Sequence, residues 1–186
     1  VLKRYDILLV ADEVICGFGR TGQMFGSQTY GIEPDIMTLS KALSSSYLPI
    51  SALLINERVY APVADQSSEI GTFGHGYTAS GHPVAAAVAL ENLKIIEERD
   101  LVANAREMGE LMQAGLRTLA DHPLVGEVRG VGLIAAIELV TDKEKKTPLP
   151  ASVQPATRLF DRAWEQGLIV RSFPQGIFGY APPLCC

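Results

Sequence analysis

The run Asp6-Ile7-Leu8-Leu9-Val10-Ala11 ends on the acidic pair Asp12-Glu13. A short, continuous apolar run of this kind predicts a strand buried on both faces of a sheet. It delivers Asp12 to the strand's carboxyl end. Ile36-Met37-Thr38-Leu39-Ser40 reads as a second strand and Ile50-Ser51-Ala52-Leu53-Leu54-Ile55 as a third. Buried strands separated by loops predict an α/β sheet. Open sheets of this class place their ligand crevice outside the carboxyl ends of the strands. Asp12 therefore becomes a candidate, although a carboxylate here also serves as a helix cap or an ion-pair partner of Arg20. Lys41 follows the second strand directly and holds the same topological position. A lone lysine is usually a solvated surface residue. Together the two are more informative: a lysine amine is a Schiff-base nucleophile, and a carboxylate can hold a pyridinium nitrogen protonated.

Downstream the pattern turns helical. Val84, Val88, Leu90, Leu93, Ile95 and Ile96 recur near spacings of three and four between Pro83 and about Glu98. Pro83 suits a first helical turn, where its missing amide costs nothing. A second helix is expected from Asp100 to about Leu119, with Leu101, Ala105, Met108, Met112 and Leu116 on one face. The break at Arg99-Asp100 is the expected boundary between domains 1–99 and 100–186. Beyond it the expected order is strand (131–140), helix (157–166, stopped by Gly167), then two strands, 168–171 and 177–180, paired across Pro174-Gln175-Gly176. This second part reads as a small α+β domain.

Composition narrows the function classes. The 186 residues carry 16 basic and 21 acidic side chains, a net charge of −5, with no basic cluster beyond Lys143 to Lys146. Strong attraction to nucleic-acid phosphates is not expected from such a chain. No apolar run approaches the roughly 18 residues of a membrane span. Three cysteines, Cys16 and the adjacent Cys185 and Cys186, argue against a disulfide framework and for a reducing, cytoplasmic setting. No His, Cys and carboxylate cluster has metal-ligand spacing. The chain begins with Val1 just before a strand and stops at Leu184-Cys185-Cys186 just after an apolar segment emerges, so it reads as part of a longer polypeptide.

Gly17-Phe18-Gly19-Arg20-Thr21-Gly22 fits G-x-G-x-x-G downstream of a strand. A dinucleotide site needs a helix opening at the third glycine and an acidic residue closing the next strand. Residues 23–31 show no sustained helical face, and Asp35 precedes its strand. The run reads better as an irregular loop whose glycines permit positive φ or close approach.

The stretch Asp12-Glu13-Val14-Ile15-Cys16-Gly17-Phe18-Gly19-Arg20-Thr21-Gly22, followed by Pro34-Asp35-Ile36-Met37-Thr38-Leu39-Ser40-Lys41-Ala42-Leu43, resembles the signature of class III aminotransferases, pyridoxal-phosphate enzymes of fold type I. Gly74-His75-Gly76-Tyr77-Thr78-Ala79-Ser80-Gly81-His82-Pro83 continues the likeness. It runs on through Val128-Arg129-Gly130-Val131-Gly132-Leu133 to Ala181-Pro182-Pro183-Leu184, essentially the whole chain. The resemblance implies that residues 1–99 are the carboxyl-terminal part of a large three-layer α/β/α cofactor domain. Residues 100–186 would be a small α+β domain truncated at its end, and the amino-terminal half would be lacking.

Roles follow from the resemblance position by position. Lys41 would form the Schiff base with pyridoxal 5′-phosphate and act as the proton-transferring base; Asp12 would pair with the pyridine nitrogen. Val14 would lie on one ring face, a position equally consistent with plain core packing. Thr78 would bond the cofactor phosphate across a homodimer interface, or else cap the helix at Pro83. Arg171 would bind a substrate carboxylate and swing aside for apolar amines, its guanidinium offering a planar bidentate donor pair; its other reading is an exposed strand arginine. His75 and His82 are expected to be structural and His122 incidental. Ser44-Ser45-Ser46-Tyr47 stands where such relatives often carry glycine.

The activity so implied is transfer of an amino group from an amine or ω-amino acid to a keto acid, pyruvate first. The alternatives are a 2-oxoglutarate-using enzyme of the 4-aminobutyrate or ornithine type, an aminomutase or decarboxylase relative, and a fragment inactive without the missing half. The expected partners are a small amino donor, a keto-acid acceptor and a second copy of the chain, with neither nucleic acid nor membrane.

Overall fold

Hydrogen bonding between the first two predicted strands sets the frame of the site. The computed structural model describes all 186 residues, Val1–Cys186, as two compact units, Val1–Val102 and Ala103–Cys186. In the first, β1 (Val10–Asp12), β2 (Ile36–Leu39) and β3 (Ala52–Ile55) form a three-stranded sheet in that order. β1 and β2 are parallel, with Asp12 opposite Thr38, whereas β3 returns antiparallel to β2. Between β1 and β2 lies a glycine-rich loop containing one short helix, α1 (Gly26–Thr29).

Asp35 ties this frame together. Its carboxylate accepts from the Leu9 amide at 2.8 Å and from Asn56 Nδ2 at 2.9 Å, and Arg58 reaches it at 3.4 Å. Asn56 in turn caps α2 (Glu57–Ile70), accepting from the Val59 amide at 3.2 Å. Helix α3 (Pro83–Glu98) packs on the interior side. Ala89 and Ile96 from α3 join Phe18 of the loop, Leu39 of β2 and Leu43 beyond it in one buried cluster, which Leu93, Met37 and Ala42 flank.

The second unit contains most of α4 (Leu101–Arg117) and a mainly antiparallel sheet. Its strands are β4 (Val125–Val131), β5 (Ile134–Asp142), β7 (Arg171–Phe173) and β8 (Ile177–Tyr180), ordered β4-β5-β8-β7. The two-residue β6 (Thr147–Pro148) pairs with β5, and α5 (Pro155–Glu165) leads into β7. Alternation along β5 buries Ala135 and Ile137, Val140 is buried out of that phase where the strand's register is irregular, and Phe178 of β8 is fully buried. At Gly109 a β-carbon would stand 2.5 Å from the Gly132 carbonyl carbon, so α4 meets the β4–β5 turn backbone to backbone. Gln113, also buried on α4, donates to the carbonyls of Gly132 at 3.0 Å and Ile134 at 3.1 Å.

Three expectations need correction. The strand expected from Asp6 is shorter: within this chain only Val10–Asp12 pairs with another strand. Asp6 takes a left-handed conformation (φ 54°) that closes a 3-10 turn, and β1 is an edge strand in this sheet. The strand expected at 131–140 is instead a hairpin, turned at Gly132 with φ 54°, and β4 precedes the expected start. The strand expected at 168–171 begins at Arg171, because the chain is still leaving α5 before it. No helix is long and apolar enough to cross a membrane.

Candidate active site

Parallel pairing of β1 with β2 brings two candidate residues to the same sheet end. Asp12 closes β1 and is exposed; its Oδ1 accepts from the Val14 amide at 3.1 Å and from Thr38 Oγ1 at 3.2 Å. Lys41 lies three residues beyond Thr38, opens a single 3-10 turn (Lys41–Leu43) and presents an exposed side chain. Its φ of 44° is a left-handed value that a residue with a β-carbon rarely adopts. Such strain persists only where surrounding contacts impose it, and here they are identifiable.

The loop after Lys41 is braced from three sides. Ser40 Oγ donates to the Ile50 carbonyl at 3.1 Å and Ser44 Oγ to the Leu48 carbonyl at 2.7 Å. Asn92, projecting from α3, donates to the carbonyls of Ala42 at 2.7 Å and Leu43 at 3.3 Å, while its Oδ1 accepts from Ser45 Oγ at 2.7 Å. The Lys41 carbonyl accepts from the amides of Ser44 and Ser46, both at 3.2 Å. Lysine conformation is thus set by a serine-rich loop and one helix side chain.

Glu13, which the sequence reading gave no role, organises the loop on the other strand. It is only 3% exposed, and its carboxylate accepts from the amides of Gly26 at 2.8 Å and Ser27 at 2.6 Å. Those are the first amides of α1, so the helix start is occupied by an internal carboxylate. A β-carbon at Gly26 would lie 2.8 Å from Cys16 Cβ, which explains a glycine at that contact. The Gly17–Gly22 run forms a loop and does not open a helix at its third glycine; α1 starts only at Gly26. Burial pushes the Cys16 thiol up, and the charges of Glu13 and Asp12 push it further against the opposing effect of Arg20. Cys16 is accordingly a poor nucleophile.

Val14 is half-buried beside Asp12. Thr78 is exposed in the segment between α2 and α3 and does not cap α3, whose N-cap is His82. An open cleft of about 490 Å³ is lined by Ser40, Ile50, Ser51, Tyr77, Ser80 and His82; neither Lys41 nor Thr78 lines it. Arg171 belongs to the second unit; it is exposed on β7 opposite Gly179, with its guanidinium carbon 5.6 Å from the centre of the Phe173 ring. A larger groove of about 550 Å³ in that unit, lined by Leu124, Leu139, Leu149, Val153 and Leu159 among others, contains none of the candidate residues.

Asp12 thus closes β1 and Lys41 follows the adjacent parallel strand β2 in an α/β unit. Comparison with known proteins places the chain in a family: the class-III aminotransferase model matches residues 1–186, and the protein belongs to that family. It is 53% identical to y4uB, an aminotransferase of Sinorhizobium fredii, and 47% identical to a diaminobutyrate–2-oxoglutarate transaminase of Halomonas elongata. Each match covers 99% of this chain and 40% of the relative, so the chain spans about two fifths of their length. Among solved structures, a transaminase with L-alanine superposes with a TM-score of 0.94 at 66% identity, over 100% of this chain and 43% of that one. An ω-transaminase from Pseudomonas jessenii in complex with PMP matches with a TM-score of 0.94 at 59% identity, over 100% of this chain and 41% of the other. The fold is that of the fold-type-I transferases.

Proposed function

We propose that the whole protein is a pyridoxal-phosphate-dependent transaminase that moves an amino group from an amine or ω-amino acid to a keto acid. One observation carries the reading: an exposed Lys41, held in a left-handed backbone, stands at the same sheet end as a hydrogen-bonded Asp12. This donor set fits the cofactor, because a carboxylate suits its ring nitrogen and a primary amine its carbonyl carbon. When bound, pyridoxal phosphate supplies an electron sink for negative charge at the substrate Cα. Asp12 holds a proton at the ring nitrogen, which makes that sink effective. Lys41 Nζ would hold the cofactor's carbonyl carbon and would move the proton at the substrate Cα. Val14 would bound one face of the ring, Thr78 would bond the cofactor phosphate across a homodimer interface, and Arg171 would receive a substrate carboxylate. In this reading residues 1–99 belong to the cofactor domain and 100–186 to the small domain, in a cytoplasmic enzyme.

Pyruvate is the proposed acceptor, supported by the similar transaminase solved with L-alanine, the amino counterpart of pyruvate. The Halomonas relative, named for 2-oxoglutarate, favours the second reading. Borohydride reduction of the full-length holoenzyme, followed by peptide mapping, is expected to place the cofactor on Lys41. A label on another residue would overturn the assignment. Lys41→Ala is expected to abolish transamination while leaving the unfolding midpoint of the cofactor-free protein nearly unchanged, since an exposed side chain adds little to packing. Initial rates with pyruvate and with 2-oxoglutarate then decide the acceptor.

A further inference from the structure

We propose that Thr38 is a positioning residue: its hydroxyl fixes the rotation of the Asp12 carboxylate that faces the cofactor's ring nitrogen. The inference rests on the transaminase reading above. Asp12 is exposed at the end of a three-residue strand, where a carboxylate left to itself would rotate freely. In the parallel register Thr38 stands directly opposite, and its Oγ1 donates to Asp12 Oδ1 at 3.2 Å. The Val14 amide donates to the same oxygen at 3.1 Å. Two donors on one oxygen set the carboxylate plane and hence the direction of Oδ2. The amide is fixed by the backbone; the hydroxyl is a choice of side chain, because valine would fill the same strand position with the same shape.

The charges around Asp12 are few and nameable. Glu13, Cys16 and Arg20 lie on the segment leaving β1, and Lys41 follows β2. β2 and β3 themselves carry no titratable side chain. A change in how Asp12 holds its proton partner is therefore readable against a short list of neighbours.

The consequence is spectroscopic. A proton held on the ring nitrogen disfavours a second positive charge on the nitrogen that links Lys41 to the cofactor. Loosening Asp12 weakens the first proton, so the second is retained to higher pH. In the full-length holoenzyme loaded with pyridoxal phosphate, Thr38→Val is expected to raise the pH midpoint of the bound cofactor's visible absorbance by about half a unit or more. Its dissociation constant for pyridoxal phosphate should rise about five- to tenfold. Thr38→Ser restores the hydroxyl and is expected to return both values towards the parent. Thr38→Ala, a second removal, should reproduce the valine result even if the isosteric variant packs poorly.

Asp12→Asn separates this inference from the reading beneath it. If Asp12→Asn shifts the midpoint and neither Thr38→Val nor Thr38→Ala does, Thr38 has no positioning role and the transaminase reading stands. If Asp12→Asn also leaves the midpoint in place, both fall. A shift with valine that serine fails to reverse would likewise overturn the proposal, since it would trace to packing and not to the hydroxyl.

Discussion

Glu13 and Asp12 are sequence neighbours with opposite fates, and the difference is set by hydrogen-bond donors. Strand pleating turns successive side chains to opposite sides. Asp12 stays exposed at the sheet end, while Glu13 enters the loop interior and meets the amides of Gly26 and Ser27. A buried carboxylate survives only with such partners. Glu13→Ala would leave two amides at buried residues without an acceptor, each costing about 1–3 kcal/mol. Urea unfolding of the full-length protein is expected to show a loss of about 2–6 kcal/mol. Glu13→Gln keeps one acceptor oxygen and should lose less. An alanine variant within about 0.5 kcal/mol of the parent would mean that water replaces the carboxylate.

At the scale of elements, the loop between β2 and β3 shows what a sequence conceals. The order of β1, β2 and β3, the helix from Pro83 and the position of Asp12 and Lys41 were all legible, because each rests on local apolar runs and spacing. Asn92 was not. It sits on a helix face read only for its apolar stripe, and its partners Ala42 and Leu43 are 50 and 49 residues away in sequence. Helix α2 was also hidden: it buries no residue and contains Pro62, so neither a stripe nor a clean helical composition announces it. Ser44-Ser45-Ser46-Tyr47 illustrates a conflict between local preference and tertiary demand. Ser45 and Ser46 have φ of 49° and 60°, and the Tyr47 amide donates to the Ser44 carbonyl at 3.1 Å. Positive φ at both central positions favours glycine. Ser45 retains a reason for its side chain in the bond to Asn92, whereas Ser46 is exposed with no side-chain bond to lose. Ser46→Gly is therefore expected to stabilise the protein by about 0.5–1 kcal/mol, and Ser45→Gly to gain less. Thermal unfolding of the two variants side by side tests the order, and a destabilising Ser46→Gly would refute the strain argument.

At the scale of the whole molecule, each unit carries one carboxylate held below its ordinary range, and the two are held by different means. In the first unit Asp35 is lowered chiefly by the Leu9 amide and then by Asn56, with Arg58 contributing charge. In the second, Glu127 is lowered chiefly by its bond to Lys146, at 3.1 Å, within a surface network that includes Arg129. A depressed folded value means that the unfolded chain binds the extra proton first. Each group's contribution is complete above the ordinary carboxylate range, about pH 4 to 5, and disappears as pH falls through the folded value. Acid unfolding should therefore be shallower in Asp35→Asn and in Glu127→Gln than in the parent. Salt tells the two apart. The Glu127 and Lys146 side chains are 39% and 65% exposed, so their attraction is screened, whereas Asp35, 13% exposed, relies first on a backbone amide. In about 0.5 M salt the Glu127→Gln difference should shrink towards zero while the Asp35→Asn difference persists. Equal loss of both differences in salt would show that charge, and not the amide bond, holds Asp35 down.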